Sequence, residues 1–175
     1  MFKKMLCPID GSENAEKALE VAIDIAKMYA ADLVVMHVPH RAENFEALER
    51  FAEVEGLARK VNAELDRLRA LDYRVGVMSQ AALEDFGVSP RLLIEVGQHL
   101  VDEARIHAEK SGVKKVDVHL EDGNPADCIL RIIDEESIDC VVVGSRGLGP
   151  IEGLFLGSVS HKVLNHAPCT CIVVK

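Results

Sequence analysis

The feature that most limits what this chain can become is Val141-Val142-Val143-Gly144, an apolar β-branched run closed by glycine. Ser145-Arg146-Gly147 follows at once, and a loop through Gly149, Pro150 and Gly153 leads to Gly157-Ser158-Val159-Ser160. A short apolar run without alternation reads as a strand covered on both faces, which places it in a parallel sheet flanked by helices. The segment after Gly157 has helical periodicity, with Ser158 as the expected cap and Val159, Val163 and Leu164 on its apolar side. A strand, a glycine loop and a helix start form an arrangement in which backbone N–H groups can hold an anion such as phosphate. Glycine at 144, 147 and 157 is expected to allow close approach, and positive φ where needed.

The rest of the chain repeats the same rhythm. Met5 to Asp10 reads as a first strand that stops at Gly11-Ser12. Ser12 is the expected N-cap of a helix in which Ala15, Ala18, Leu19, Ala22, Ile25, Ala26 and Tyr29 recur at helical spacing. Asp32 to Val38 is a second continuous apolar strand. Further on, Ser89-Pro90 is a cap and first-turn pair for a helix bearing Leu93, Val96, Leu100, Ala104 and Ala108, ending near Gly112. Val116 to Leu120 alternates partially, as a strand nearer a sheet edge does. Asn124-Pro125 opens a helix with Ala126, Ile129, Leu130 and Ile133 inward, and Thr170 to Val174 is the last strand.

This order predicts an α/β fold: a five-stranded parallel sheet, doubly wound, with helices on both faces. Residues 1–175 are expected to form one domain interrupted by an insertion at about 39–89, a span too long for an ordinary connection. Within it Phe51, Val54, Ala58, Val61, Leu65 and Leu68 predict an amphipathic helix over about 44–70. That helix packs on the domain's own edge or offers a surface to a protein partner. Residues 72–89 read as loop, with one short extended piece at Tyr73 to Val77.

Net charge is −9, so the summed field argues against nucleic acid or an acidic membrane as partner, and an anionic ligand must be held by local donors. The apolar runs fall far short of the roughly 20 residues that cross a bilayer, which makes a cytoplasmic location the expectation. Five cysteines, at 7, 128, 140, 169 and 171, match neither a disulfide framework nor a zinc pattern and read as small buried apolar residues. In a parallel sheet a ligand sits at the carboxyl ends of the strands, so Asp10 and the glycine loop are expected to face one crevice. There is no Gly-x4-Gly-Lys-Ser/Thr and no Gly-x-Gly-x-x-Gly after the first strand.

Gly144-x2-Gly147-x9-Gly157-Ser158 resembles the ATP-binding signature of the universal stress protein family. Cys7-Pro8-Ile9-Asp10-Gly11-Ser12 resembles that family's opening strand, Glu121 to Ala126 its third-helix entry, and His166-Ala167-Pro168-Cys169 with Ile172-Val173-Val174 its closing strand. Everything except the insertion is covered. The resemblance implies strand order 3-2-1-4-5, the adenine nucleotide alpha hydrolase-like or HUP type. It implies that Pro8, Ile9, Asp10 and Val38 border an adenosine, that Gly144, Ser145, Arg146 and Gly147 run along ribose and phosphates, and that Gly157, Ser158, Val159 and Ser160 close on the phosphates. The residues support such roles: Ser158 and Ser160 have hydroxyls beside a helix N-terminus, Arg146 offers a charge-assisted contact, and Asp10 an acceptor or a water-mediated site for Mg or Mn. Each also has a plain structural alternative: Ser158 as an N-cap, Arg146 as a solvated cation, Asp10 as a turn former. The Leu148 to Gly153 stretch, with Pro150 and Glu152, departs from the family's loop and leaves ATP, ADP and AMP all open as occupants.

No base or water-orienting cluster marks a fast enzyme; His161 reads as surface helix, and His37 and His40 as cofactor-edge or loop residues. The expectation is therefore an adenine-nucleotide-binding, stress-response regulatory protein that switches conformation or partner, with at most slow ATP hydrolysis. The alternative is a nucleotide-independent homodimeric scaffold that pairs through Thr170 to Val174, an apolar strand placed at the sheet edge by the family topology.

Overall fold

The computed structural model describes residues 2–39, 90–147 and 156–175. The predicted 44–70 helix, the 72–89 loop, Ser89, and Pro150 and Glu152 lie outside the described residues. The chain divides into two compact units, Met1–Pro39 with Gly97–Lys175, and His40–Val96. The first unit carries the sheet.

Among the described residues the strands are β1 (Lys4–Pro8), β2 (Asp32–His37), β3 (Val116–Leu120), β4 (Cys140–Gly144) and β5 (Thr170–Val174). The helices are α1 (Glu13–Tyr29), α2 (Pro90–Lys110), α3 (Pro125–Glu135) and α4 (Ser158–His166). All strand pairs are parallel, in the order β3-β2-β1-β4-β5, as the sequence predicts. The order reverses between β1 and β4, so the chain winds away from the centre in both directions and leaves a crevice at those carboxyl ends.

The core lies on both faces of the sheet. Leu6, Val34, Met36, Val141 and Val143 meet Ala126, Ile129, Ile132 and Ile133 of α3 and Val163 of α4. On the other parity of the strands, Gly144 receives the first turn of α1, while His37 and Leu120 receive α2 at Gly97. The central strands β1, β2 and β4 are buried almost throughout. The edge strands β3 and β5 are half-buried, and they differ: β3 is flanked and interrupted by Lys115, Asp117, His119 and Glu121, whereas β5 carries no charge. Charges on β3 discourage further strand pairing, and β5 has no such protection.

Two helix starts follow the expected chemistry. Ser12 Oγ accepts from Ala15 N–H at 3.3 Å, and Asn124 Oδ1 accepts from Ala126 and Asp127 N–H at 3.1 and 3.3 Å, with Pro125 in the first turn. The third does not. Gly157 is the cap of α4 and makes no side-chain bond, so Ser158 is the first helical residue rather than its cap. Two helices, α1 and α4, also present faces that differ from the expectation. Ile23, not Ile25, is fully buried in α1; Tyr29 is 36% exposed and meets Phe2 edge-on at 5.3 Å; and Leu164 is 43% exposed. Short amphipathic helices leave a turn or more of such freedom, because alanine at several core positions marks the apolar stripe only weakly.

Candidate functional site

The crevice between β1 and β4 is built from backbone. β1 ends at Pro8, and Ile9 still donates its N–H to Met36 carbonyl at 2.8 Å. Asp10 then turns the chain: its Oδ1 accepts Ser12 N–H at 3.1 Å, and Gly11 takes φ +78, which a side chain would resist. Opposite stands the glycine loop. A Cβ built on Gly147 would fall on the Asp10 Oδ2 carboxylate oxygen, so the two positions face each other with no room between them for a side chain.

The loop is anchored at both ends. Ser145 is buried, donates its N–H to Val174 carbonyl at 2.5 Å and accepts Gly157 N–H on its own carbonyl at 2.7 Å. Ser12 Oγ donates to Arg146 carbonyl at 3.4 Å, tying the start of α1 to the same loop. A Cβ on Gly144 would lie 2.8 to 3.0 Å from the Asn14 and Ala15 backbone, so this glycine is needed for helix docking. Gly144, Gly147 and Gly157 all lie outside the left-handed region, Gly157 at φ −69, so the expected positive φ is absent and space is what they supply. At Gly157 a Cβ would meet nothing closer than 3.5 Å among the described residues.

The first intrahelical bond of α4 runs from His161 N–H to Gly157 carbonyl at 2.9 Å. The N–H groups of Ser158, Val159 and Ser160 precede it and stand at the positive end of the helix. Ser160 is buried and its hydroxyl donates to Gly144 carbonyl at 2.7 Å, so it braces the loop instead of offering a free donor. Ser158 is exposed. Arg146 is exposed, and its guanidinium makes no ion pair among the described residues. Val38 and Ile9 are buried at the carboxyl ends of β2 and β1. The predicted site residues are thus gathered on the carboxyl side of β1, β2 and β4 and at the start of α4.

One residue was underrated by sequence reasoning. His37 is the last residue of β2, within the strand expected over Asp32 to Val38 and not in a loop after it; it is buried, and its Nδ1 donates to Ile9 carbonyl at 2.8 Å. Burial pushes its pKa below the usual histidine value, opposed by the Ile9 bond and the Asp10 charge, which keeps the ring neutral at pH 7. The signal was available: a histidine at the end of an unbroken apolar run continues a covered strand. His161, by contrast, is exposed beside Asn165.

No group of three or more His, Cys, Asp or Glu among the described residues is placed to hold a metal ion. Cys7 and Cys140 are buried with thiol pKa values pushed up to about 12 by burial, and Cys169 to about 11 for the same reason. A protonated thiol is a poor nucleophile and a poor ligand. Among the described residues no helix is long and apolar enough to cross a membrane.

Fold and crevice together define a doubly wound α/β protein with a glycine loop at the switch point of its sheet. The model of the universal stress protein family matches residues 1–175. Universal stress protein YxiE of Bacillus subtilis is 30% identical over 175 residues, covering 100% of both chains. Among solved structures, a universal stress protein in complex with cAMP superposes with a TM-score of 0.60 at 20% identity, covering 99% of this chain and 96% of that one. The universal stress protein from Archaeoglobus fulgidus in complex with dAMP gives 0.59 at 17% identity, covering 100% and 98%. This chain belongs to the universal stress protein family.

Proposed function

We propose that the chain is a regulatory protein that binds an adenine nucleotide, ATP, ADP or AMP, in the crevice between β1 and β4. The observation that carries this is the seating of Gly147 directly on the Asp10 carboxylate, beside the first-turn N–H groups of α4, which have no hydrogen-bond partner among the described residues. Family membership supports it, and so do the cAMP and dAMP held by the two structural neighbours. Asp10 Oδ2 accepts from a ribose hydroxyl, or holds Mg or Mn through water; Pro8, Ile9 and Val38 line the adenosine side. Gly144, Ser145, Arg146 and Gly147 follow ribose and phosphates, and Gly157, Ser158, Val159 and Ser160 close on the phosphates, the last three through their N–H groups and Gly157, whose N–H goes to Ser145 carbonyl, through close backbone approach, with Arg146 adding charge.

With no positioned base beside the phosphate-facing residues among the described residues, we take hydrolysis to be slow at most and nucleotide to act by population shift. A nucleotide that binds one arrangement of the loop better than others stabilises it by that difference in affinity. A change of partner is the output, in a stress response within the cytoplasm. The predicted 44–70 helix is the candidate surface for a protein partner. A second reading follows from the uncharged edge of β5, Thr170 to Val174: two copies pair through it as a homodimer scaffold, with or without nucleotide.

Thermal unfolding with added nucleotide tests the first reading. Adenine nucleotides are expected to raise Tm more than guanine nucleotides, and Gly157→Val to abolish the difference. Equal shifts with both, or no shift with either, contradict it.

A further inference from the structure

We infer that His37 is a positioning residue for the proposed nucleotide site: its imidazole pins the Ile9–Asp10 peptide to the end of β2 and thereby sets where the Asp10 carboxylate stands opposite Gly147. This role rests on the adenine-nucleotide site proposed above. Ile9 lies beyond the last residue of β1, where regular strand pairing has stopped, yet β2 holds it on both sides. Its N–H donates to Met36 carbonyl at 2.8 Å, and its carbonyl, half of the Ile9–Asp10 peptide, accepts from His37 Nδ1 at 2.8 Å. A side chain has taken over where the ladder ends.

The chain downstream of that peptide has little freedom left. Gly11 at φ +78 and the Ser12 N–H bond to Asp10 Oδ1 fix the turn, and Oδ2 is the oxygen that faces Gly147. The ring itself is held from behind. It is buried, and a Cβ on Gly97 of α2 would come within 2.8 Å of His37 Cδ2. The absence of a side chain at Gly97 therefore lets the helix backbone close on the imidazole and hold it against Ile9. An apolar side chain at 37 would fill the space but leave Ile9 carbonyl without this donor, in a place where an unpaired carbonyl is costly and the peptide would rotate to relieve it. Any rotation of that peptide carries Asp10 with it.

A purely structural histidine would affect stability and leave nucleotide affinity alone, so the two are measured separately on the full chain. Calorimetric titration with AMP is run on wild type, His37→Leu and His37→Asn, with Tm recorded in the absence of AMP. The Asn side-chain amide nitrogen stands the same number of bonds from the backbone as Nδ1 and can donate to Ile9 carbonyl. His37→Leu is expected to raise Kd for AMP by about tenfold, the size of the one hydrogen bond to the ligand that a displaced Asp10 carboxylate would no longer make. His37→Asn is expected to stay within about twofold of wild type even where its Tm falls as far as that of the Leu variant. Gly97→Ala, which presses a methyl on Leu120 Cδ1 at 2.7 Å and on the ring at 2.8 Å, covers the case in which His37→Leu fails to fold, and it too should weaken AMP binding.

Wild-type affinity in His37→Leu or Gly97→Ala, or an Asn variant as weak as the Leu one, overturns the inference while leaving the site standing. Where wild type binds ATP or ADP but not AMP the same titrations are run with that nucleotide, and a wild-type chain that binds none of the three removes the site and the role of His37 together.

Discussion

Gly144 and Gly157 share a motif in sequence but do different physical work, and alanine at each should separate those roles. At Gly144 a Cβ would stand 2.8 Å from the Asn14 carbonyl carbon, 2.9 Å from its oxygen and 3.0 Å from Ala15 nitrogen. All three are backbone atoms of the first turn of α1, which is locked by Ser12 Oγ on Ala15 N–H and on Arg146 carbonyl. No side chain can swing away, so the helix must move. Overpacking of this kind costs about 1–3 kcal/mol, offset by about 0.5–1 kcal/mol from the lower unfolded-state entropy of alanine. A net loss of about 1–2 kcal/mol corresponds to roughly 2–8 °C in Tm for a chain of this size. At Gly157 the new methyl meets described atoms only at 3.5 Å and beyond, with φ −69 suited to any residue. The loss of a tolerated glycine cap and the entropy gain are each about 0.5 kcal/mol and nearly cancel. Urea unfolding of the two variants without nucleotide should therefore show a clear loss for Gly144→Ala and almost none for Gly157→Ala. Equal losses, or a stable Gly144→Ala, would refute the assignment of Gly144 to helix docking.

Asn124→Ala removes the acceptor for two N–H groups of α3 and is expected to cost about 1 kcal/mol by the same assay. His37 gives a pH signature: its folded-state pKa lies below its unfolded value near 6.5, so the unfolded chain takes up the proton first and stability falls as pH drops through about 6.5. His37→Leu should flatten that slope, and the lowered carboxyls of Glu13 and Asp102 act only at more acid pH. Iodoacetamide at neutral pH should leave Cys7 and Cys140 unmodified in the folded protein and label them in urea, read by peptide mass.

The sheet was legible because its central strands are unbroken apolar runs, and the order β3-β2-β1-β4-β5 was carried by the resemblance of the motifs around them. Ser12 and Asn124 were legible as caps because short acceptors at a helix start have few other uses. Ser158 misled for that very reason: a serine just before a helical pattern looks like a cap, yet glycine takes the position and passes its own N–H to Ser145. The glycines were marked out by spacing, but whether each serves φ, helix docking or clearance for a carboxylate depends on contacts far away in sequence. Gly97 and His37 are such a case. One sits in a helix where glycine is unfavourable by about 1 kcal/mol, the other closes an apolar strand, and only their meeting explains either.

The central claim is that the crevice between Asp10 and the glycine loop holds an adenine nucleotide, and mass spectrometry of the purified protein after denaturation tests it most directly. Release of ATP, ADP or AMP at close to one per chain, lost in Gly157→Val, is the predicted result. Protein free of nucleotide that also fails to bind added AMP or ATP would contradict it.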